Sequence, residues 1–303
     1  MKIQTFSIVV GTRACDARCP FCVSKMTGFG VLPKTRRIDR INFDKACRLA
    51  ELSGSTTVLM TGKGEPTLYP EEITAYLNLL KKWEFPLIEL QTNGLMLGRL
   101  AQGETDGLPK GLNRKILAAW RRKGLNTVAI SAVSVENWRN ATIYSMDYPD
   151  LATTIKFLHS FGFTVRLCIM MLEGFVDTPR KVQAVIDFCR AHRVEQLTIR
   201  SIRKPQVSNY DKKATQFVTE RGLTKVEVKN INTWCLRRGK KMMTLPHDAV
   251  VLDINGQNVC VTSCLNEDGE SDDIRTLIYY SDGSLRYRWD YDGAIILGGT
   301  GSE

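Results

Sequence analysis

The chain has 303 residues, 43% of them hydrophobic and 24% charged, with a net charge of +10, so it can bury a large core and its surface favours an anionic partner. It holds no run of eighteen apolar residues and no charged-then-apolar leader, which argues against a membrane helix or export and for a cytoplasmic protein. Its 9 cysteines are an odd number, poorly suited to a closed disulfide framework and expected to stay as thiols in a reducing compartment.

The first apolar run, Phe6 to Val10, reads as a strand and leads into Gly-Thr-Arg-Ala-Cys-Asp-Ala-Arg-Cys-Pro-Phe-Cys. Cys15, Cys19 and Cys22 thus share one short loop in C-x3-C-x2-C spacing. Thiolates are the ligands of iron-sulfur clusters, and three of them can hold three irons of a 4Fe-4S cube while the fourth iron stays open. A structural zinc that recruits Cys47, or a chance grouping of buried thiols, is the alternative at this point.

Further apolar runs follow at Thr57 to Met60, Leu87 to Leu90, Thr127 to Ser131, Thr164 to Met170 and Gln196 to Arg200. Segments of helical period lie between them, near 44–52, 71–82, 113–122, 150–161 and 178–191. Pro70-Glu71-Glu72 and Asp177-Thr178-Pro179 open two of these helices, and Gly124 and Gly162 close two. Six βα units of this size predict parallel strands, whose ligands sit beyond the carboxyl ends. After Arg203-Lys204-Pro205 a basic, polar stretch runs to Lys240-Lys241 and reads as solvated surface. Alternation then returns around the Asn255-Gly256 and Asp282-Gly283 turns, predicting antiparallel hairpins.

The second strand is followed by Gly62-Lys63-Gly64-Glu65-Pro66, the third by Gln91-Thr92-Asn93-Gly94, and the fourth ends on Ser131. Singly these are ordinary turn chemistry. In this order after the cysteine loop, they resemble the radical S-adenosylmethionine (SAM) superfamily. The resemblance implies a partial (β/α)6 barrel over residues 1–205, and the hairpin pattern makes 206–303 a carboxyl-terminal β-rich extension, expected to cover the open side and shape the substrate pocket. It also implies a 4Fe-4S cluster on Cys15, Cys19 and Cys22, SAM on the open iron, and an electron donor such as flavodoxin or ferredoxin. Gly64 and Glu65 would meet the SAM ammonium, Phe21 the adenine, and Asn93 and Ser131 the ribose or carboxylate. Arg166 would pair with the SAM carboxylate or serve as a structural ion pair.

The resulting 5'-deoxyadenosyl radical would abstract hydrogen from a substrate. The charge favours a nucleotide or nucleic acid, with Arg200, Arg203 and Lys204 meeting phosphates. A peptide-modifying enzyme is the alternative, and a non-catalytic iron-sulfur electron carrier or nucleic-acid-binding protein a third reading. Cys235, Cys260 and Cys264 could hold an auxiliary cluster or act in catalysis, Cys47, Cys168 and Cys189 read as packing, and His247 beside Asp248 is the one histidine placed to act as an acid or base.

Overall fold

A computed structural model describes residues 2–27, 38–205, 211–245, 249–263, 273–289 and 291–299. In chain order the first half of the molecule is β1 (Ile3–Val9), α1 (Val23–Met26), α2 (Arg40–Leu52), β2 (Thr57–Thr61), α3 (Pro70–Leu80), β3 (Leu87–Thr92), α4 (Leu95–Ala101), α5 (Arg114–Arg122), β4 (Thr127–Ala132), α6 (Asn137–Tyr144) and α7 (Leu151–His159). The second half is β5 (Thr164–Met171), α8 (Pro179–Ala191), β6 (Gln196–Ser201), α9 (Lys212–Arg221), α10 (Lys225–Arg238), β7 (Lys240–Thr244), β8 (Val250–Ile254), β9 (Gln257–Ser263), β10 (Ile274–Tyr279), β11 (Leu285–Arg286) and β12 (Ile295–Leu297).

All the strands form one open sheet in the order β12-β11-β10-β1-β2-β3-β4-β5-β6-β9-β8-β7. The six predicted strands are parallel neighbours in chain order. The carboxyl-terminal hairpins form as expected, β8 with β9 and β10 with β11. Their inner strands do more than cover the barrel: β9 joins β6 in parallel and β10 joins β1 in parallel, so the curved wall gains a parallel strand at each side. The architecture is a partial α/β barrel with β-rich carboxyl-terminal edges.

Two-residue alternation gives the wall an apolar outer face and a polar inner one. Along β1, Phe6 packs on Phe43 and Phe85 behind the sheet, while Ser7 turns inward and meets the Thr276 hydroxyl at 2.8 Å. Val165, Leu167 and Ile169 of β5 and Leu197 and Ile199 of β6 are buried on the helix side, opposite Arg166, Cys168, Thr198 and Arg200. Each fully buried side chain of that size contributes roughly 1.5–3 kcal/mol, so the outer layer supplies the stability and leaves the inner face for chemistry.

The predicted helices are present with local caps: Asp150 accepts from the Thr153 amide at 2.7 Å, and Pro179 opens α8 behind Thr178. The basic stretch after residue 205, expected as solvated surface, contains α9 and α10. Each buries only two side chains, Ala214 and Val218, and Ile231 and Cys235, which leaves almost no apolar period to read; α10 is instead signalled by a Thr224–Glu227 capping box. The short helices α4 and α6 also lay outside the pattern expected from sequence.

The turn after β4 is held by one residue of α6. The buried Asn140 accepts from the Val133 and Ser134 amides, each at 3.0 Å, and donates to the Ser134 carbonyl at 2.8 Å. Replacing it with alanine leaves those groups without partners in the interior. Asn140→Ala is expected to cost about 2–4 kcal/mol in denaturant unfolding, and a loss below about 0.5 kcal/mol, typical of neutral surface changes, would show that the turn is held by other contacts.

Candidate active site

The cysteine loop leaves β1 and crosses the carboxyl ends of the strands, pinned along its main chain. The Gly11 amide donates to Glu72 at 2.9 Å, the Glu65 amide donates to the Ala14 carbonyl at 3.0 Å, and the Arg18 amide donates to the Tyr144 carbonyl at 2.9 Å. The contact at Ala14 explains the Gly-x-Gly-Glu-Pro spacing: a Cβ on Gly64 would lie 2.0 Å from the Ala14 carbonyl oxygen, inside any allowed contact. Only glycine lets the loop lie flat on this turn.

Glu65 then ties the turn to the end of β3. Its Oε1 accepts from the Thr67 amide at 2.9 Å, the Thr67 hydroxyl at 2.7 Å and the Thr92 hydroxyl at 2.6 Å, and its Oε2 accepts from the Asn93 amide at 2.9 Å. The carboxylate therefore faces the protein, and what the turn presents toward the loop is main chain. Asn93 continues the connection, its side-chain amide donating to Asp16 Oδ1 at 2.6 Å and to the Cys15 sulfur at 3.8 Å. The structure thus brings Gly64, Glu65, Asn93 and Cys15 together.

Other predicted residues are placed differently. The Phe21 ring packs on Phe217 of α9, with centroids 6.5 Å apart. Ser131 lies on the inner wall, and its carbonyl accepts from the Tyr144 and Tyr148 hydroxyls at 3.0 and 3.4 Å. Arg166 pairs with Glu89, which also accepts from Gln91 at 3.0 Å; of the two roles considered for it, the structure displays the ion pair. Cys235 and Cys260 lie on opposite faces of the sheet. Cys260 is the register partner of Val251, whereas the end of α10 beyond Cys235 packs against Leu252 and Ile254. These two thiols therefore do not share a face, and Cys264, the third thiol considered with them, lies outside the described residues, as do His247 and Asp248.

Four residues that sequence reasoning missed complete the site. Asp16, inside the cysteine motif itself, has a buried Oδ2 without a hydrogen-bond partner. Tyr144 and Tyr148 stack with centroids 5.3 Å apart, and Tyr148 donates to the Asn93 carbonyl at 2.9 Å. Their spacing of four suggests one helix face, but Ser145 between them adopts a φ of 55° and ends α6. Lys63, the variable position of the glycine motif, is buried, donates to the Thr27 carbonyl at 3.0 Å, and lies 5.5 Å from the Trp289 ring centroid. It links the segment after Cys22 to the carboxyl-terminal edge of the sheet.

The donor set fits an iron-sulfur cluster with an open iron. Three soft thiols share one loop, which also carries the orphaned Asp16 oxygen and packs its main chain directly on Gly64. Cys15 is exposed as a residue, yet partial desolvation of its sulfur and the Glu65, Asp16 and Cys22 charges raise its thiol, and burial and the neighbouring thiols raise Cys19 as well. Iron bound by these thiols would therefore displace protons from the loop. Among the described residues no three His, Cys, Asp or Glu side chains are already gathered at metal-ligand spacing.

The sequence model of the radical SAM superfamily matches residues 9–189, more than half of the chain. The chain belongs to the radical SAM superfamily. Members of this superfamily are enzymes that use a 4Fe-4S cluster and SAM. One curated relative, GTP 3',8-cyclase from Aquifex aeolicus, is 24% identical over 205 residues, covering 67% of this chain and 56% of the cyclase. Among solved structures, SuiB of Streptococcus suis bound to precursor peptide SuiA superposes with a TM-score of 0.60 at 13% identity, over 100% of this chain and 64% of SuiB. A radical SAM methyltransferase from Sphaerobacter thermophilus gives a TM-score of 0.52 at 16% identity, over 86% of this chain and 66% of that one. The chain thus spans less than two thirds of both the cyclase and SuiB, and the two structural likenesses show the shared fold. No helix among the described residues is long and apolar enough to cross a membrane.

Burial, with the Asp16 charge adding to it, pushes the Glu65 carboxyl from its ordinary 4.5 up to about 7, against the hydrogen bonds from Asn93, Thr92 and Thr67 that favour the charged form. Above pH 4.5 the unfolded chain has released this proton while the folded chain still holds it. The stability Glu65 contributes is therefore complete below about 4.5 and lost as the pH rises to about 7. Melting temperatures of the cluster-free protein are expected to fall across that window, and Glu65→Gln is expected to flatten the fall; an unchanged slope in the variant contradicts the assignment.

Proposed function

We propose that this chain holds a 4Fe-4S cluster on Cys15, Cys19 and Cys22, binds SAM beside it, and abstracts hydrogen from an anionic substrate, a nucleotide or a nucleic acid. Loaded in this way, the loop supplies one-electron reductive cleavage of a sulfonium bond and a 5'-deoxyadenosyl radical. The observation that carries the reading is one loop that bears three thiols and the orphaned Asp16 oxygen and is pinned by the Gly64–Glu65 turn over one end of the polar inner wall.

The roles of the residues follow from their surroundings. Asp16 Oδ2 and the main chain of the Gly64–Glu65 turn offer acceptors to the SAM ammonium, and Asn93 orients Asp16 through its 2.6 Å bond. Ser131 and Arg166 stand on the inner wall below, where they would contact SAM or substrate. Phe21, held by Phe217, would give the adenine an apolar edge and carry the position of α9 to it. Residues 206–303 supply β9 and β10 to the wall, and in this reading they form the substrate-recognition part of the chain. The outside electron comes from a one-electron protein donor such as flavodoxin or ferredoxin.

A nucleotide or nucleic-acid substrate is supported by the net charge of +10 and by the match to GTP 3',8-cyclase. The test is anaerobic reconstitution followed by assay with SAM and dithionite, adding nucleoside triphosphates, RNA or acidic peptides in separate reactions. The wild-type protein is expected to form 5'-deoxyadenosine, faster with the nucleotide or RNA. Cys19→Ala is expected to lose bound iron and at least about 100-fold of that rate, since a required ligand is removed. Absence of 5'-deoxyadenosine from iron-loaded wild-type protein contradicts the chemistry, and stimulation by peptides alone contradicts the substrate class.

A further inference from the structure

The strand register assembles a second polar constellation, deeper in the barrel than the cysteine loop. Ser131, Cys168, Thr198 and Cys260 are successive register partners across β4, β5, β6 and β9, forming one row on the inner face. The row toward the strand starts holds Arg166, and the row toward the carboxyl ends holds Arg200, register partner of both Met170 and Thr262. Two guanidiniums therefore bracket the row. Glu89 is engaged by Arg166, which leaves the charge of Arg200 without a carboxylate partner in these rows.

The Nε of Arg200, like that of Arg166, is buried without a hydrogen-bond partner, which is unfavourable, and only Arg166 has Glu89 beside it. Beside Arg200 stand the hydroxyl of Thr198 and, across the register, that of Thr262. Arg200, Arg166 and Arg275 all favour the thiolate of Cys260 against its burial, an independent sign that this side of the wall is electropositive. A guanidinium fork with flanking hydroxyls matches the oxygens of a carboxylate or phosphate.

We propose that the inner wall of β5, β6 and β9 is an oxyanion subsite in which Arg200, flanked by Thr198 and Thr262, anchors a carboxylate or phosphate of the substrate beside Cys260. It deepens the anionic-substrate reading above and rests on it for identifying the ligand as substrate, but it can be measured without reductant or SAM. Failure to form 5'-deoxyadenosine leaves an anion-binding result standing, and loss of anion binding leaves the cluster chemistry standing.

The test is calorimetric titration of the reconstituted protein with inorganic pyrophosphate and, separately, with malonate. Binding of pyrophosphate assigns the subsite to phosphate and binding of malonate to carboxylate; Arg200→Gln is expected to weaken the bound anion at least about tenfold, with Arg200→Lys keeping part of the affinity and the exposed Lys241→Gln keeping all of it. In unsubstituted protein, the bound anion should also slow alkylation of Cys260 by iodoacetamide, read by peptide mass mapping. The proposal is overturned if neither anion binds, if Arg200→Gln binds as tightly as the parent, or if Cys260 alkylation is unaffected by the bound anion.

Discussion

The cysteine loop can lie across the barrel mouth because one turn of backbone carries no side chain. At Gly64 the Ala14 carbonyl occupies the space of a Cβ, and the next amide, Glu65, donates to that same carbonyl. Glu65 then turns its carboxylate away from the loop and into donors from Thr67, Thr92 and Asn93. A single short segment thus fixes the loop after β1 to the ends of β2 and β3. The positions of Cys15, of Asp16 and of the Asn93 amide between them follow from this contact.

Below the mouth, the division of the sheet into two faces separates stability from chemistry. The outer face is packed with Phe6, Phe43, Tyr76 and Tyr279 and with the aliphatic residues of β4 to β6. The inner face carries a row of hydroxyls and thiols at one height on adjacent strands, with guanidiniums in the rows above and below it. Such a surface gains little from folding and is tolerated because the layer behind it supplies the burial energy. The two carboxyl-terminal strands extend this polar wall, so the last hundred or so residues contribute to the barrel interior as well as to its edges.

Much of this was legible from the chain. The six strands and five of the helices carry clear two-residue or three-to-four-residue periods, and the glycine and proline punctuation marks their ends. The constellation of Cys15, Gly64, Glu65 and Asn93 was legible because each lies just past a strand end, where a parallel sheet gathers its functional groups. The direction of the Glu65 carboxylate was not, since a buried acceptor and a ligand-facing one have the same sequence. Asp16 was hidden by the more conspicuous cysteines around it, and Tyr144 and Tyr148 act together only through the left-handed Ser145. The helices α9 and α10 were obscured because they bury too few side chains to write a period, and the parallel addition of β9 and β10 because a hairpin pattern does not say what lies on its other side.

Hydrogen exchange on the cluster-free Gly64→Ala variant addresses the contact at the barrel mouth directly, since the added methyl would sit 2.0 Å from the Ala14 carbonyl. Amides of the loop between residues 11 and 22 are expected to exchange much faster than in the parent protein, while those of β5, far from the substitution in the register, keep their protection. Unchanged protection of the loop, or equal loss of protection in loop and β5, would contradict the view that this turn holds the cysteines in place.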